Sequence, residues 1–263
     1  MVKKLWMWLL AVVLIPSVLQ AQAVVDKKAF LKRLAEKHGQ IEEASGKIEI
    51  NMSMMGNNMK IPVSFWHKGE KLRMDMETQV PGMEAPMKQV MLMDGKKFVQ
   101  YQKMMNTVMT ADLTEMPEEI RKQMKRNQAS MLGGVTSISA MQKIEDDLDI
   151  EEKTRDGRKF YLITLRDLNK LGGMNSVGGV NAQQMFGKLL FWIDYDSLLP
   201  SKMEFYGEAE APGMWIDFLE FKPGSVPDEI FNVKFPDDAK HMDITDMLKN
   251  MFENMKKPET ATP

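Results

Sequence analysis

From Ser45 onward the chain alternates. Ile48, Ile50, Met52 and Met54 take every second position, with Lys47, Glu49, Asn51 and Ser53 between them. Period 2 with one apolar side is the pattern of a strand buried on one face. The same rhythm returns at Met59, Ile61, Val63 and Phe65, and again where Leu72, Met74 and Met76 alternate with Arg73, Asp75 and Glu77. Gly56-Asn57-Asn58 reads as a hairpin turn, as do Lys68-Gly69, Asp94-Gly95, Asp156-Gly157, Leu199-Pro200 and Pro212-Gly213. Further strands are predicted over 88–93, 97–103, 107–111, 148–154, 158–166, 188–195, 201–209 and 214–222, with a last short strand over 229–235. Pro62 predicts an edge or a bulge for its strand, because proline cannot donate to a ladder. The expected fold is mainly β with flanking helices. A curved antiparallel sheet of about eleven strands, closely spaced along the chain, would form an unclosed barrel. The pattern never runs β-α-β, which excludes doubly wound and TIM-barrel folds.

Three segments switch to a helical period. Asp26 can cap a helix running to about Lys37, in which Phe30, Leu31 and Leu34 make one stripe and Gly39 marks the end. Pro117-Glu118-Glu119 starts an inserted helix reaching about Gln128. A final amphipathic helix over 243–255 sets Met247, Leu248, Met251, Phe252 and Met255 on one side. These helices are expected to cover the sheet. The glycine-rich stretch 168–187 reads as a mobile loop, and 257–263 as a disordered tail.

The first residues carry a targeting pattern. Lys3 and Lys4 precede an uncharged apolar run from Leu5 to Ile15, Pro16 breaks it, and Ala21-Gln22-Ala23 offers small residues for cleavage. The eleven-residue run covers only about half of a ~30 Å hydrocarbon core, too little for a spanning helix. Residues 1–23 are therefore expected to be a signal peptide removed near Ala23. That leaves a single domain over 24–256, soluble and periplasmic, and not membrane-spanning. The chain has 35 basic and 37 acidic residues; losing Lys3 and Lys4 takes the net charge from −2 to −4. No basic excess is available to neutralise phosphates, so nucleic acid is not expected as a partner. The cysteine count is zero, which removes disulfides, thiol nucleophiles and zinc-thiolate sites.

Four segments together are familiar: Ser45-Gly-Lys-Ile-Glu-Ile-Asn-Met-Ser-Met54, Met93-Asp-Gly-Lys-Lys-Phe-Val-Gln-Tyr101, Leu190-Phe-Trp-Ile-Asp-Tyr-Asp-Ser-Leu-Leu-Pro-Ser-Lys-Met203 and Val226-Pro-Asp-Glu-Ile-Phe-Asn-Val-Lys-Phe-Pro236. In that order behind a signal peptide, the mature chain resembles the LolA-like family of outer-membrane lipoprotein-sorting proteins. The resemblance implies a strongly curved, unclosed antiparallel barrel with helices over its mouth. It also implies a carrier that shields acyl chains in a hydrophobic cavity while crossing an aqueous space. This chain departs from the family's better-known carriers in three ways. It lines its strands with methionine where they use aromatic and branched residues. It offers no match for the arginine that holds their helical lid, so no lid residue is carried over. The stretches 113–146 and 168–187 look like additions.

Methionine is the compositional outlier, with 27 in the chain and thirteen of them between Met52 and Met109. Met52/Met54, Met74/Met76 and Met91/Met93 each sit at i, i+2 and so point to one sheet face. Unbranched and polarizable, methionine adapts to irregular apolar shapes. A cavity for acyl chains would use that property. Its expected lining is Ile48, Ile50, Met52, Met54, Ile61, Val63, Phe65, Leu72, Met74 and Met76. Two plainer or sharper readings stand beside it: a methionine-rich packed core, and a Cu(I) site built from paired thioethers. Catalytic signals are thin. His38, His67 and His241 read as solvated or capping histidines, and the chain has no G-x-S-x-G. Asp146, Asp147, Asp149, Glu151 and Glu152 read as a solvated strand edge that resists edge-to-edge pairing. The basic face of the inserted helix, at Arg121, Lys122, Lys125 and Arg126, reads as a wet face or a contact for anionic headgroups.

The functional expectation is therefore a non-enzymatic, exported carrier of lipid or lipoprotein acyl chains, without cofactor or metal. Membrane donor and acceptor proteins are its further partners, and the N-terminal helix and the 168–187 loop would gate it. The alternative is a partner-binding module of the same fold, as in envelope stress sensors.

Overall fold

A computed structural model describes residues 25–54, 57–79, 85–119, 121–122, 141–171 and 185–256. The expected signal peptide, the tail 257–263, most of the glycine-rich loop and the inserted helix beyond Lys122 lie outside the described residues.

Twelve strands form one sheet. In chain order they are β1 (Glu43–Met54), β2 (Asn57–Lys68), β3 (Lys71–Thr78), β4 (Met87–Met93), β5 (Lys97–Gln102), β6 (Thr107–Asp112), β7 (Leu148–Arg155), β8 (Arg158–Leu165), β9 (Lys188–Asp194), β10 (Pro200–Tyr206), β11 (Met214–Pro223) and β12 (Lys240–Asp243). Their spatial order is β12-β6-β5-β4-β3-β2-β1-β11-β10-β9-β8-β7. The sheet is curved and unclosed, as the sequence implied. All pairs are antiparallel except β12, which runs parallel to β6, with Met242 opposite Met109. The last strand is thus β12 and not 229–235. There Asp228–Phe231 makes a single 3-10 turn, because Pro227 and the acids after it suit the opening of a helical turn better than a ladder.

Local chemistry explains the turns. Asp156 and Gly157 both have positive φ, 51° and 74°, the pair of values a type I′ hairpin needs. Gly95 has φ 81°, and Asp94 Oδ1 accepts from the amides of Lys96 and Lys97 at 2.9 and 2.7 Å. Pro62 sits in an interior strand, opposite Glu49 with no bulge. The β2–β3 ladder ends with Val63 opposite Met76, so Pro62 has no β3 partner that would want its missing N–H.

Register divides the sheet into two faces. Ile48, Val63, Met76 and Gln89 form one row across β1 to β4 on the inner face, and Phe65, Met74, Met91 and Gln100 another. On the other side of β1 the inner row that starts at Ile50 runs through Ile216, Met203, Phe191 and Ile163 to Ile150. Helix α1 (Lys27–Gly39) lies on the inner face of the β7–β10 half. Its N-cap Asp26 accepts from Ala29 N at 3.0 Å, and Phe30, Leu31 and Leu34 are buried. Phe30 packs on Tyr161 with ring centroids 4.4 Å apart. Both ends of α1 are tied: Lys27 Nζ donates to the Leu148 carbonyl, and His38 Nε2 donates to the Leu198 carbonyl at 2.8 Å. Helix α2 (Thr245–Lys256) covers the inner face at the opposite end, where Ile244 and Leu248 pack with Ala111, Leu113 and Met116.

The outer face of the β1–β6 half is strapped by the segment 226–239. Val226 N donates to Glu43 Oε2 at 2.6 Å, Asp228 bridges Lys68 and Lys71 at 3.2 and 2.8 Å, and Arg73 Nη1 donates to the Ile230 carbonyl at 2.8 Å. Phe235 meets Tyr101 at 5.4 Å. Among the described residues, β7 pairs with β8 alone and so is an edge strand, and Asp149, Glu151 and Lys153 lie along it. Of the acidic run expected as a strand edge, Asp149, Glu151 and Glu152 lie on β7, while Asp146 and Asp147 fall in the 3-10 turn Glu145–Asp147 before it.

Two outcomes check this packing. Gly46 lies inside, and a Cβ there would collide with the Glu220 carbonyl and the Phe65 ring, beside the β1–β11 register shift at Lys47/Ile48. Gly46→Ala is expected to lower stability by about 1–3 kcal/mol in urea denaturation, the usual cost of overpacking; an unchanged midpoint would refute this close approach. The second outcome concerns pH. His38, expected as a solvated or capping histidine, is 1% exposed. Burial holds it below the ordinary imidazole range despite its carbonyl partner, and burial does the same for His67. Their unfolded forms therefore take up protons first as pH falls. Stability should be full above about pH 6.5 and decline below it, before carboxylates near 4 titrate. Melting temperature should fall between about pH 6.5 and 5 in the native protein and stay flatter in the double variant His38→Gln, His67→Gln.

Candidate functional site

The structure brings the expected lining residues onto one face. Ile48 stands opposite Val63 and Ile50 opposite Ile61 across β1–β2; Phe65 stands opposite Met74 and Val63 opposite Met76 across β2–β3. Leu72 faces Met93 and Met74 faces Met91 across β3–β4. Period 2 and hairpin pairing keep apolar sides together, and the alternation alone was enough to group them.

Depth separates these residues in a way alternation could not show. Ile48, Ile50, Met52, Val63, Phe65, Leu72 and Met74 are buried. Ile61 and Met76 are only half-buried, packed at the margin of the core. The side chain of Met54 lies outside the described residues. Three residues absent from the expected lining join the margin: Met59, Met91 and Met93. Met59 pairs with Met52, and Met91 with Met74; the signal for Met59 was its alternation with Ile61 and Val63, and for Met91 and Met93 their i, i+2 spacing. The missing information was which strand neighbours which.

The half-buried group occupies a definite place. One end of the inner face is filled by α1 and the other by α2. Met93 packs against both clusters, the one that contains α1's leucines and the one that contains Ile244. Between them runs a band of thioethers and branched carbons across β1 to β4, with Gln89 and Gln100 as its polar flank. The band holds no charged group: the acids and bases of these strands, such as Glu49, Lys60, Arg73, Asp75, Glu77 and Lys88, alternate to the other face. Lys60 pairs there with Glu49 at 3.0 Å, Arg73 with Asp75 at 2.6 Å and Lys88 with Glu77 at 3.2 Å. Such a surface can hold apolar groups by burial and shape alone. It carries no acid–base pair for chemistry. Of the three histidines, His67 lies on the inner side of β2 opposite Ala44, while His241 is exposed. No group of three or more His, Cys, Asp or Glu that could hold a metal occurs among the described residues. No helix among them is long and apolar enough to cross a membrane.

No protein-family model matches the chain, and no curated protein matches it. Among solved structures, the chain is similar to an uncharacterized conserved protein from Thermus thermophilus, at 12% identity and a TM-score of 0.47, over 82% of this chain and 98% of that one. It is similar to the Pseudomonas aeruginosa MucA/MucB complex structure at 13% identity and a TM-score of 0.42, over 80% of this chain. There it spans 62% of the matched chain, less than two thirds of its length. A LolA superfamily protein from Nitrosomonas europaea matches at 15% identity and a TM-score of 0.31, over 80% of this chain and 98% of that one. The likeness to these three solved structures is low in identity and modest in TM-score. At these identities no residue's role crosses with it.

Depth gives a paired test of the inner face. Met74→Lys buries an ammonium opposite Phe65 and should cost several kcal/mol, a large share of a typical total of roughly 5–15. Met76→Lys sits at the margin, where its ammonium can reach water, and should cost about 1 kcal/mol or less by the same measure. Equal losses in the two variants would show that the margin is as tightly packed as the centre.

Proposed function

We propose that this chain is an exported, non-enzymatic carrier of acyl chains, which it holds on the methionine-rich inner face between α1 and α2. The observation that carries the reading is the half-buried band of Met59, Ile61, Met76, Met91 and Met93. A protein that needed this face only as core would seal it with well-specified branched and aromatic side chains, as the β8–β10 half does with Ile163, Phe191 and Phe205. Methionine is a poor choice for a unique core and a good one for a surface that meets ligands of varied shape. Each methylene transferred from water to this band contributes about 0.8 kcal/mol, so a long chain gains enough to offset much of its extraction from a bilayer.

In this reading residues 1–23 direct export to the periplasm and are then removed. The cargo is a lipid or a lipoprotein bound for the outer membrane. Nine of the ten residues expected from the sequence, all but Met54, divide into two roles. The buried ones, from Ile48 to Met74, form the floor, and Ile61 and Met76 with Met59, Met91 and Met93 form the contact surface.

The test uses protein exported by its own leader from a bacterial host. Native mass spectrometry is expected to show lipid-sized adducts. A fluorescent fatty acid should bind saturably, be displaced by unlabelled lipid, and remain bound when Cu(I) is added. The double variant Met76→Lys, Met91→Lys should stay folded and lose at least about tenfold in affinity, or 1.4 kcal/mol. An adduct-free protein with no saturable uptake would overturn the proposal.

A further inference from the structure

The outer face of the β8–β11 quarter holds aromatic groups that the core does not use. Trp192 of β9 and Trp215 of β11 flank β10 on this side and are half-buried. Both indoles are locked in orientation. Trp192 Nε1 donates to Glu204 Oε2 at 2.9 Å, and Trp215 Nε1 donates to Asp217 Oδ2 at 3.1 Å. The two carboxylates are themselves held. Lys202 lies 3.0 Å from Glu204 and 3.7 Å from Asp217, and Asn51 Nδ2 donates to Asp217 at 3.2 Å. Phe160 meets Trp192 edge-on, with centroids 6.0 Å apart at 85°. Arg155 and Arg158, at the end of the β7–β8 hairpin, lie over the Trp192 and Phe160 rings at 5.6 and 5.5 Å. Between Trp192, Phe160, the two arginines, Lys202 and Asp217 is a pocket of about 290 Å³, completed by Asp156 and Ser201.

The charges decide the class of ligand. Arg155 is matched by Asp156 at 3.7 Å, Arg158 by Asp194 at 2.9 Å, and Lys202 by two carboxylates. An anion would have to compete with carboxylates already in place, and a cation with ammonium and guanidinium groups already in place. A neutral ligand pays neither cost. It meets an aromatic wall with hydrogen-bond donors and acceptors side by side: the Asp217 carboxylate, the Lys202 ammonium and the Ser201 hydroxyl. A molecule with an apolar ring face and hydroxyls on its rim fits that arrangement. The volume falls at the small end of ligand pockets, roughly 300–1,000 Å³, and suits one or two sugar rings. Because the indoles are fixed before binding, little side-chain freedom is lost when a ring stacks on them.

We propose that the outer face of β8–β11 is a second binding site, for a neutral saccharide, with Trp192 as the stacking platform and Asp217, Lys202 and Ser201 binding ring hydroxyls. The site lies on the opposite side of the sheet from the methionine band and does not depend on that band's function.

Purified protein is titrated separately with maltotriose and chitotriose, followed by indole fluorescence and by calorimetry, with inorganic phosphate as competitor. Trp66, stacked with Arg73 on another part of the sheet, is a constant background. At least one sugar is expected to saturate with Kd between about 10 μM and 1 mM, unaffected by phosphate. Trp192→Ala should weaken it at least about tenfold. Asp217→Asn, which keeps shape and removes the acceptor charge, should weaken it several-fold with unchanged circular dichroism, and it decides the matter if Trp192→Ala does not fold. Absence of saturation by both sugars up to about 10 mM overturns the proposal. So does competition by phosphate, or unchanged sugar affinity in the folded variants.

Discussion

β1 is the strand on which the whole sheet depends. It pairs with β2 on one side and with β11 on the other, so among the described residues the ladders of β2–β6 and β7–β11 are joined into one sheet through it. A slip of one residue in either ladder would turn Ile48, Ile50 and Met52 to the solvent side and Glu49 and Asn51 inward. Several features hold the register. The ion pair from Lys60 to Glu49 spans β2, and the hydrogen bond from Asn51 to Asp217 spans β11. Gly46 permits the close approach of Glu220 and Phe65 where the β1–β11 register shifts. A bulge there adds local twist to a sheet that must curve without closing.

With the faces fixed by β1, covering segments give each region its character. The inner face is closed from two ends by α1 and α2, which leaves the methionine band between them. The outer face of the β1–β6 half is tied down by 226–239, the segment that carries the Pro-Asp-Glu-Ile-Phe likeness. That motif works as a strap: Asp228 reaches two lysines, and the backbone of Val226 and Ile230 meets Glu43 and Arg73. Along β8–β11 the outer face instead presents oriented tryptophans. The Leu190–Met203 likeness has a matching local role, because its hairpin places Trp192 and Lys202 side by side on that face.

Most of the strands could be read from alternation, and the Asp26 cap, the Asp156-Gly157 turn and the charged edge at β7 from single residues. What could not be read were features set by long-range neighbours. Pro62 was expected at an edge or bulge. Its strand is interior to the sheet order, but the ladder to β3 stops one residue away at Val63, so Pro62 sits at a local edge that depends on the course of β3. His38 was expected as a solvated or capping histidine. It is buried because the turn after β9 places the Leu198 carbonyl, 160 residues on, within 2.8 Å of its ring. Leu198 itself takes a left-handed φ of 57°, which is costly for a branched residue, and no local pattern announces it. The parallel pairing of β12 with β6 was equally hidden, since four exposed residues carry no apolar alternation. Nine of the ten expected lining residues, all but Met54, share one sheet face by register, yet their depth depended on neighbours that alternation does not show.

The same depth sets a condition on α1 if it is to act as a gate. Phe30, Leu31 and Leu34 are each 3% exposed or less, and withdrawing them costs about 1.5–3 kcal/mol apiece. The His38–Leu198 hydrogen bond adds roughly 0.5–1.5 kcal/mol. At about 0.8 kcal/mol per methylene, a ligand would have to bury on the order of ten methylenes to replace α1 on this surface. A short fatty acid falls below that and would leave the helix seated, whereas a long acyl chain reaches it. In the carrier reading, the contacts of α1 therefore discriminate by chain length, and the methionine band beside it can accept the first methylenes before the helix moves.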